Sequence, residues 1–207
     1  MSRRRIAKSA QWRRARENDP QVRAARAGGF RSRAAFKLME MDDALRLFFP
    51  GARVADLGGA PGGWSQVAAM RCRGGAVVAA DISPMSPPAG VSFVRGDFLS
   101  AATARAVTDA LGGPADVVLS DMSPNISGIV ASDQARAAEL ARAAAAFARE
   151  NLSPGGKLLV KGFQGREFDE VRRDFARDFA ETRIFRPRAT RRASREAYIF
   201  ASGAKKG

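Results

Sequence analysis

Arg53-Val54-Ala55-Asp56-Leu57 runs directly into Gly58-Gly59-Ala60-Pro61-Gly62-Gly63, and Trp64 to Met70 follows as a helical stretch. A short apolar strand, a glycine-rich turn and a helix make the opening unit of an α/β sheet. Working outward, the downstream chain repeats the alternation. Ala76 to Asp81 reads as a second strand and Val91 to Val94 as a third, followed by Asp97. A helix is expected over Ala101–Leu111 and a fourth strand over Asp116–Asp121. An alanine-rich helix from about Ala131 to Leu152 leads to a turn at Pro154-Gly155-Gly156 and a fifth strand, Lys157–Phe163. A helix near Glu167–Phe179 and strands near Thr182–Phe185 and Ala197–Ala201 complete the pattern. Upstream, Ala34, Leu38, Met41, Leu45 and Phe48 recur at helical spacing, with Ser32 as the expected N-cap and Pro50-Gly51 as the stop. The fold class is α/β, a doubly wound and mostly parallel sheet of seven strands flanked by helices.

In such a sheet, ligands bind beyond the carboxyl ends of the strands. Four acids fall at or just after those ends: Asp56, Asp81, Asp97 and Asp121. A nicotinamide site would call for G-x-G-x-x-G after the first strand. The spacing here differs, and Pro61 removes a backbone donor that a pyrophosphate would use. A ligand without phosphates is preferred, and S-adenosylmethionine is one. Asp81 suits its ribose hydroxyls and Asp97 its adenine amino group. Asp121 and the Gly62-Gly63 turn suit its methionine end.

Charge is distributed unevenly. The 207 residues carry a formal +14, from 35 Lys and Arg against 21 Asp and Glu. Residues 1–33 hold 11 basic and 2 acidic side chains, and residues 183–207 hold 8 and 1, so the middle is net −2. A near-neutral domain with two basic ends implies a polyanionic partner, with phosphate contacts supplying affinity. Residues 1–30 read as a basic arm and 31–207 as the domain. Histidine is absent, which excludes Ser-His-Asp and Cys-His catalysis. With one cysteine, Cys72, neither an intrachain disulfide nor a structural zinc site is expected, and no metal is expected. No apolar run approaches a membrane span, and no secretory signal is apparent, so a cytoplasmic protein is expected.

Asp56 to Gln66, Ser120-Asp121-Met122-Ser123-Pro124-Asn125 and Ser194-Arg195-Glu196-Ala197-Tyr198 closely resemble the motifs of the FtsJ/RrmJ-type (RlmE family) ribose 2′-O-methyltransferases, in order and with matching intervals from about Arg31 onward. The resemblance implies a Rossmann-like methyltransferase fold using S-adenosylmethionine, with cofactor contacts at Gly62, Trp64 (through its main chain), Asp81, Asp97 and Asp121. It also implies a catalytic tetrad of Lys37, Asp121, Lys161 and Glu196. Lys161 is the central group; the carboxylates orient the lysines, and Lys37 positions the substrate. The implied substrate is large-subunit ribosomal RNA, at a uridine ribose in the peptidyl transferase centre, methylated by a monomer. A related enzyme acting on tRNA and a non-catalytic RNA-binding module are the alternatives. A nicotinamide-dependent oxidoreductase is disfavoured by the glycine spacing.

Overall fold

The structure is a computed structural model that describes residues 20–124, 127–191 and 194–205. Seven strands form one sheet in the order β3-β2-β1-β4-β5-β7-β6. They are β1 Val54–Leu57, β2 Val77–Asp81, β3 Val91–Arg95, β4 Ala115–Ser120, β5 Leu152–Phe163, β6 Phe179–Phe185 and β7 Glu196–Ala204. The first five are mutually parallel, and β7 runs antiparallel between β5 and β6. The order reverses between β1 and β4, so the crevice of the switch point opens beyond Leu57 and Ser120, which are register partners.

Apolar clusters cover both faces of the sheet, which is why the central strands read as continuous apolar runs. On one face, α2 (Ala34–Leu45) and α3 (Gly63–Arg71) bury Leu38, Met41, Val67 and Ala68 against Val54, Leu119, Leu159 and Tyr198. On the other lie α4 (Ala101–Leu111), α5 (Val130–Asn151) and α6 (Arg166–Asp178). Six buried alanines of α5, from Ala137 to Ala148, let that long helix lie close to the strands. Among the described residues, no helix is long and apolar enough to cross a membrane.

Three local expectations are corrected. Ser32 does not cap α2. The N-cap residue is Arg33, in helical conformation and without a side-chain cap bond, and the Ser32 hydroxyl packs against Gly63 instead. The helix also ends at Leu45, well before Pro50-Gly51. Arg46 adopts a left-handed conformation (φ 52°), and Asp42 accepts the Phe48 amide at 3.0 Å. Finally, Pro154-Gly155-Gly156 does not precede β5 but bulges out of it. Leu152 pairs with Ala115, and Lys157 re-enters opposite Val117.

The stretch read as an arm contains structure. Pro20–Ala27 forms a helix, α1, whose Ala25 is buried at 1% exposure. Gln66 in α3 ties down the segment that follows, donating to the Gly29 carbonyl at 2.9 Å and accepting the Arg31 amide at 3.1 Å. The rest of the arm, residues 1–19, lies outside the described residues.

The approach to β2 depends on one close backbone contact. A Cβ built on Gly75 would stand 2.0 Å from the Ala52 carbonyl oxygen, and that backbone leads directly into β1. Gly75→Ala is expected to cost about 1–3 kcal/mol, the scale of overpacking. In urea, the unfolding midpoint should fall while the slope stays unchanged.

Candidate active site

Strand register assembles a row of polar groups across the α2/α3 face of an otherwise apolar sheet. Leu57 pairs with Ser120 and Ser120 with Val160, so one step further along brings Asp121 level with Lys161. Lys161 is in turn the register partner of Tyr198. Glu196 lies two residues before Tyr198 on β7 and therefore shares its face. The α2 helix packs over this row and lowers Lys37 onto it.

Two ion pairs result. Lys161 Nζ lies 2.9 Å from Asp121 Oδ1 and also donates to the Asp121 main-chain oxygen. Lys37 Nζ pairs with Glu196 Oε1. Both lysines are buried, at 5% and 8% exposure for Lys37 and Lys161. Tyr198 joins the pairs: its hydroxyl donates to Glu196 Oε1 at 2.7 Å and lies 3.3 Å from Asp121 Oδ1. Burial and the two carboxylates push the Tyr198 phenol well above its ordinary range, so it remains a neutral donor. Burial opposes the charge of Glu196, but Lys37, with help from Tyr198 and Lys161, holds that carboxyl below its usual range.

Tyr198 was absent from the residues expected at the site. It is the only tyrosine in the chain, and its position opposite Lys161 follows from pairing that a linear motif does not display.

A cavity of about 500 Å³ opens at the switch point. Its floor is the turn Gly58-Gly59-Ala60-Pro61 with Gly63, and its inner end meets Asp56 and Asp121. Gly58 has φ +77°, and a Cβ there would stand 2.5 Å from Met122 Cγ, so this turn requires glycine on both counts. Val22 and Ala25 of α1, together with Phe30, supply the outer wall. Trp64 borders the cavity, yet its side chain belongs to the core. It is 3% exposed, donates its indole N–H to the Ala34 carbonyl at 2.9 Å, and packs beside Tyr198 at 5.6 Å between ring centroids.

A second cavity of about 310 Å³ is bordered by Lys37, Glu196 and Ser194, and it shares Arg33 and Arg191 with the first. Asp121 thus faces one cavity, Lys37 and Glu196 face the other, and Lys161 and Tyr198 stand between.

Gly62, Asp81 and Asp97 are not among the residues lining the first cavity. Asp81 accepts the amides of Ala60 (3.0 Å) and Ser83 (2.7 Å), and Asp97 accepts that of Leu99 (3.0 Å). Arg31 crosses the glycine turn, donating to the carbonyls of Pro61 and Ser86 and lying against Gly62.

Among the described residues, Asp56 is the one acid with a buried oxygen that lacks a hydrogen-bond partner. It is wholly buried; Oδ2 accepts from the Ser65 hydroxyl, and Oδ1 has no partner. Burial above all, then the nearby Asp121 and Asp81, push its carboxyl up to about 7 despite the Ser65 bond.

The sheet order and the glycine turn at its switch point define a Rossmann-like methyltransferase fold. A solved structure described as a ribosomal RNA methyltransferase from Plasmodium falciparum shares this fold, with a TM-score of 0.75 at 22% identity, over 84% of this chain and 98% of that one. Residues 30–204 match the FtsJ-like methyltransferases. Proteins named ribosomal RNA large subunit methyltransferase E are 48% identical in Alkalilimnicola ehrlichii (94% of both chains) and 49% identical in Halorhodospira halophila (97% of this chain, 96% of that one). The chain belongs to the FtsJ-like methyltransferase family.

The Lys37–Glu196 pair yields a test independent of activity. A carboxyl lowered by folding adds stability that is full above its unfolded pKa and is lost as pH falls through the folded value. Lys37→Met leaves Glu196 buried without its main partner, and its pKa then rises. The loss should be about 3–5 kcal/mol at pH 8, the scale for breaking a buried pair. At pH 5 it should be smaller, because the lone carboxyl takes up a proton. Urea denaturation at the two pH values measures the difference.

Proposed function

We propose that this protein transfers a methyl group from S-adenosylmethionine to the 2′-hydroxyl of a uridine ribose in large-subunit ribosomal RNA. The observation that carries the reading is the cluster of buried Lys37, Lys161 and Tyr198 with the partly buried Asp121 and Glu196, set between two adjoining cavities. The names of the relatives support the choice of RNA.

The first cavity suits the cofactor. It has room for a small molecule, its floor is backbone with little side chain, and its inner end is acidic and has an unmatched buried carboxyl oxygen. That chemistry favours a cationic, phosphate-free ligand. Asp121 and the glycine turn would hold the methionine end. Asp81 and Asp97, at the ends of β2 and β3, would hold the ribose and adenine once the Arg31 bridge between Pro61 and Ser86 opens. When bound, the cofactor supplies an electrophilic methyl group.

The chain's own residues do the rest. The target ribose enters from the second cavity, where Lys37 positions it and Arg33 and Arg191 supply positive charge beside its phosphates. The hydroxyl is a weak nucleophile and must shed its proton as it attacks. Lys161 engages that hydroxyl, held in place by both the side chain and the main chain of Asp121. Glu196 fixes Lys37, and the Tyr198 hydroxyl bridges the two carboxylates. The basic side chains of residues 1–19 would add phosphate contacts by charge.

Tritium transfer from labelled S-adenosylmethionine to large-subunit RNA, followed by mapping of the modified nucleotide, tests the reading. Label on tRNA alone, or no transfer, would overturn it. Lys161→Ala should abolish transfer while leaving cofactor affinity within a few-fold. Lys161→Arg should fail as well, because a guanidinium keeps its proton and has a different donor geometry.

Two truncations separate the arm from the helix. Removing residues 1–19 should make the dependence of log RNA affinity on log salt shallower by ~0.7–0.9 per lost phosphate contact, with cofactor binding unchanged. Removing residues 1–29 also takes away the α1 wall of the cavity and should weaken cofactor binding.

A further inference from the structure

Asp56 has no part in the transfer chemistry above, yet one of its carboxyl oxygens is buried beside the cavity without a partner. Its flanking strands bring it no cation, since its register partners are Ala79 on β2 and Leu119 on β4. From α3 it receives only Ser65, through the hydroxyl and the main-chain amide, and neither carries a charge. Among the described residues, no lysine or arginine stands within ion-pair distance of it. The nearby Asp81 and Asp121 are of like charge, and the Asp121 charge is already matched by Lys161. Arg31, which borders the same cavity, directs its guanidinium to the Pro61 and Ser86 carbonyls instead. A buried carboxylate in this position is costly, and its cheapest form in the free protein is the neutral acid.

We propose that Asp56, a buried carboxyl with one unpartnered oxygen beside the cavity, is the counter-charge of the cofactor site and releases a proton to solvent when the cationic cofactor binds. This inference rests on reading the cavity as the S-adenosylmethionine site. The cofactor carries an ammonium and a sulfonium against one carboxylate, and that excess positive charge in a buried space favours the ionised form of Asp56. One O–H bond of the acid breaks, the proton goes to buffer, and the carboxylate stays behind as the partner of the ligand's charge. Methyl transfer then removes the sulfonium. With S-adenosylhomocysteine in the cavity, Asp56 regains its proton more readily, so the site grips substrate more firmly than product. Because the free Asp56 carboxyl lies at about 7, apparent affinity should rise with pH through neutrality and level off above it.

The test is calorimetry of the full chain with S-adenosylmethionine at pH 6 and pH 8, each in two buffers of different ionisation enthalpy. The wild type is compared with Asp56→Asn, and the difference cancels titration of the ligand's own amino group. The wild type should release nearly one more proton per site than the variant at pH 6 and none extra at pH 8. Its affinity should be about tenfold lower at pH 6 than at pH 8 on account of this group. S-adenosylhomocysteine should show a shallower dependence. Ser65→Ala keeps the carboxyl and removes its side-chain donor, so it should move the inflection of the pH profile upward, and it serves if Asp56→Asn does not fold. Equal proton release by wild type and Asp56→Asn, or superimposable profiles for wild type and Ser65→Ala, would overturn the inference alone. Absence of S-adenosylmethionine binding at every pH would overturn the reading of the cavity, and this inference with it.

Discussion

Two lysines lie buried on the inner face of a sheet, and the alignment of β4, β5 and β7 is what makes this tolerable. An ammonium in an apolar layer costs several kcal/mol unless it is paired and hydrogen-bonded. Register brings Asp121 level with Lys161 and sets Tyr198 opposite it, while the two-residue period of β7 delivers Glu196 to Lys37. Slipping β7 by one residue would turn Glu196 and Tyr198 to the opposite face and leave Lys37 without its carboxylate. Buried pairs of this kind are seldom better for stability than well-packed apolar groups. Here the apolar clusters on either side of the sheet hold the fold, and the fold holds the ions.

The same geometry explains why the site has two mouths. The sheet order reverses between β1 and β4, so the first cavity forms above the glycine turn, with Asp121 at its inner end. The second lies where β7 meets α2, bordered by Lys37 and Glu196. Lys161 and Tyr198 stand between them. The two mouths are not wholly separate, since Arg33 and Arg191 line both. The basic termini are joined to this arrangement rather than hung from it: α1 walls the first cavity, and Arg191, from the basic C-terminal stretch, borders both.

Much of this was legible in the linear chain because the responsible effects are local. Continuous apolar runs bounded by glycine and acids reveal buried parallel strands, and the turn from Gly58 to Gly63 reveals where the backbone must leave space. The misplaced features depended on distant contacts. Ser32 has the chemistry of an N-cap but is drawn to Gly63, and α2 stops early because Asp42 accepts the Phe48 amide. The Pro154-Gly155-Gly156 segment has turn composition, yet Leu152 had already found Ala115 on β4, so the turn became a bulge. The Arg- and Ala-rich start of the chain reads as a basic arm, helical when bound, and its composition does not reveal that Ala25 of α1 is buried.

The sequence by itself determined the fold class, the glycine turn, the strand-end acids and, through its motifs, the four charged residues of the cluster. Each of these is written in the spacing of neighbouring residues. Only the tertiary structure decided that Tyr198 ties the two ion pairs together, that Asp56 lies beside the cavity with one carboxyl oxygen buried and unpartnered, and that part of the basic N-terminus forms a cavity wall. These depend on burial and on partners distant in sequence: Glu196 lies 159 residues from Lys37, and Tyr198 lies 77 from Asp121. Ionisation, hydrogen bonding and desolvation act between atoms that meet in space, and the order of residues along the chain does not record those meetings.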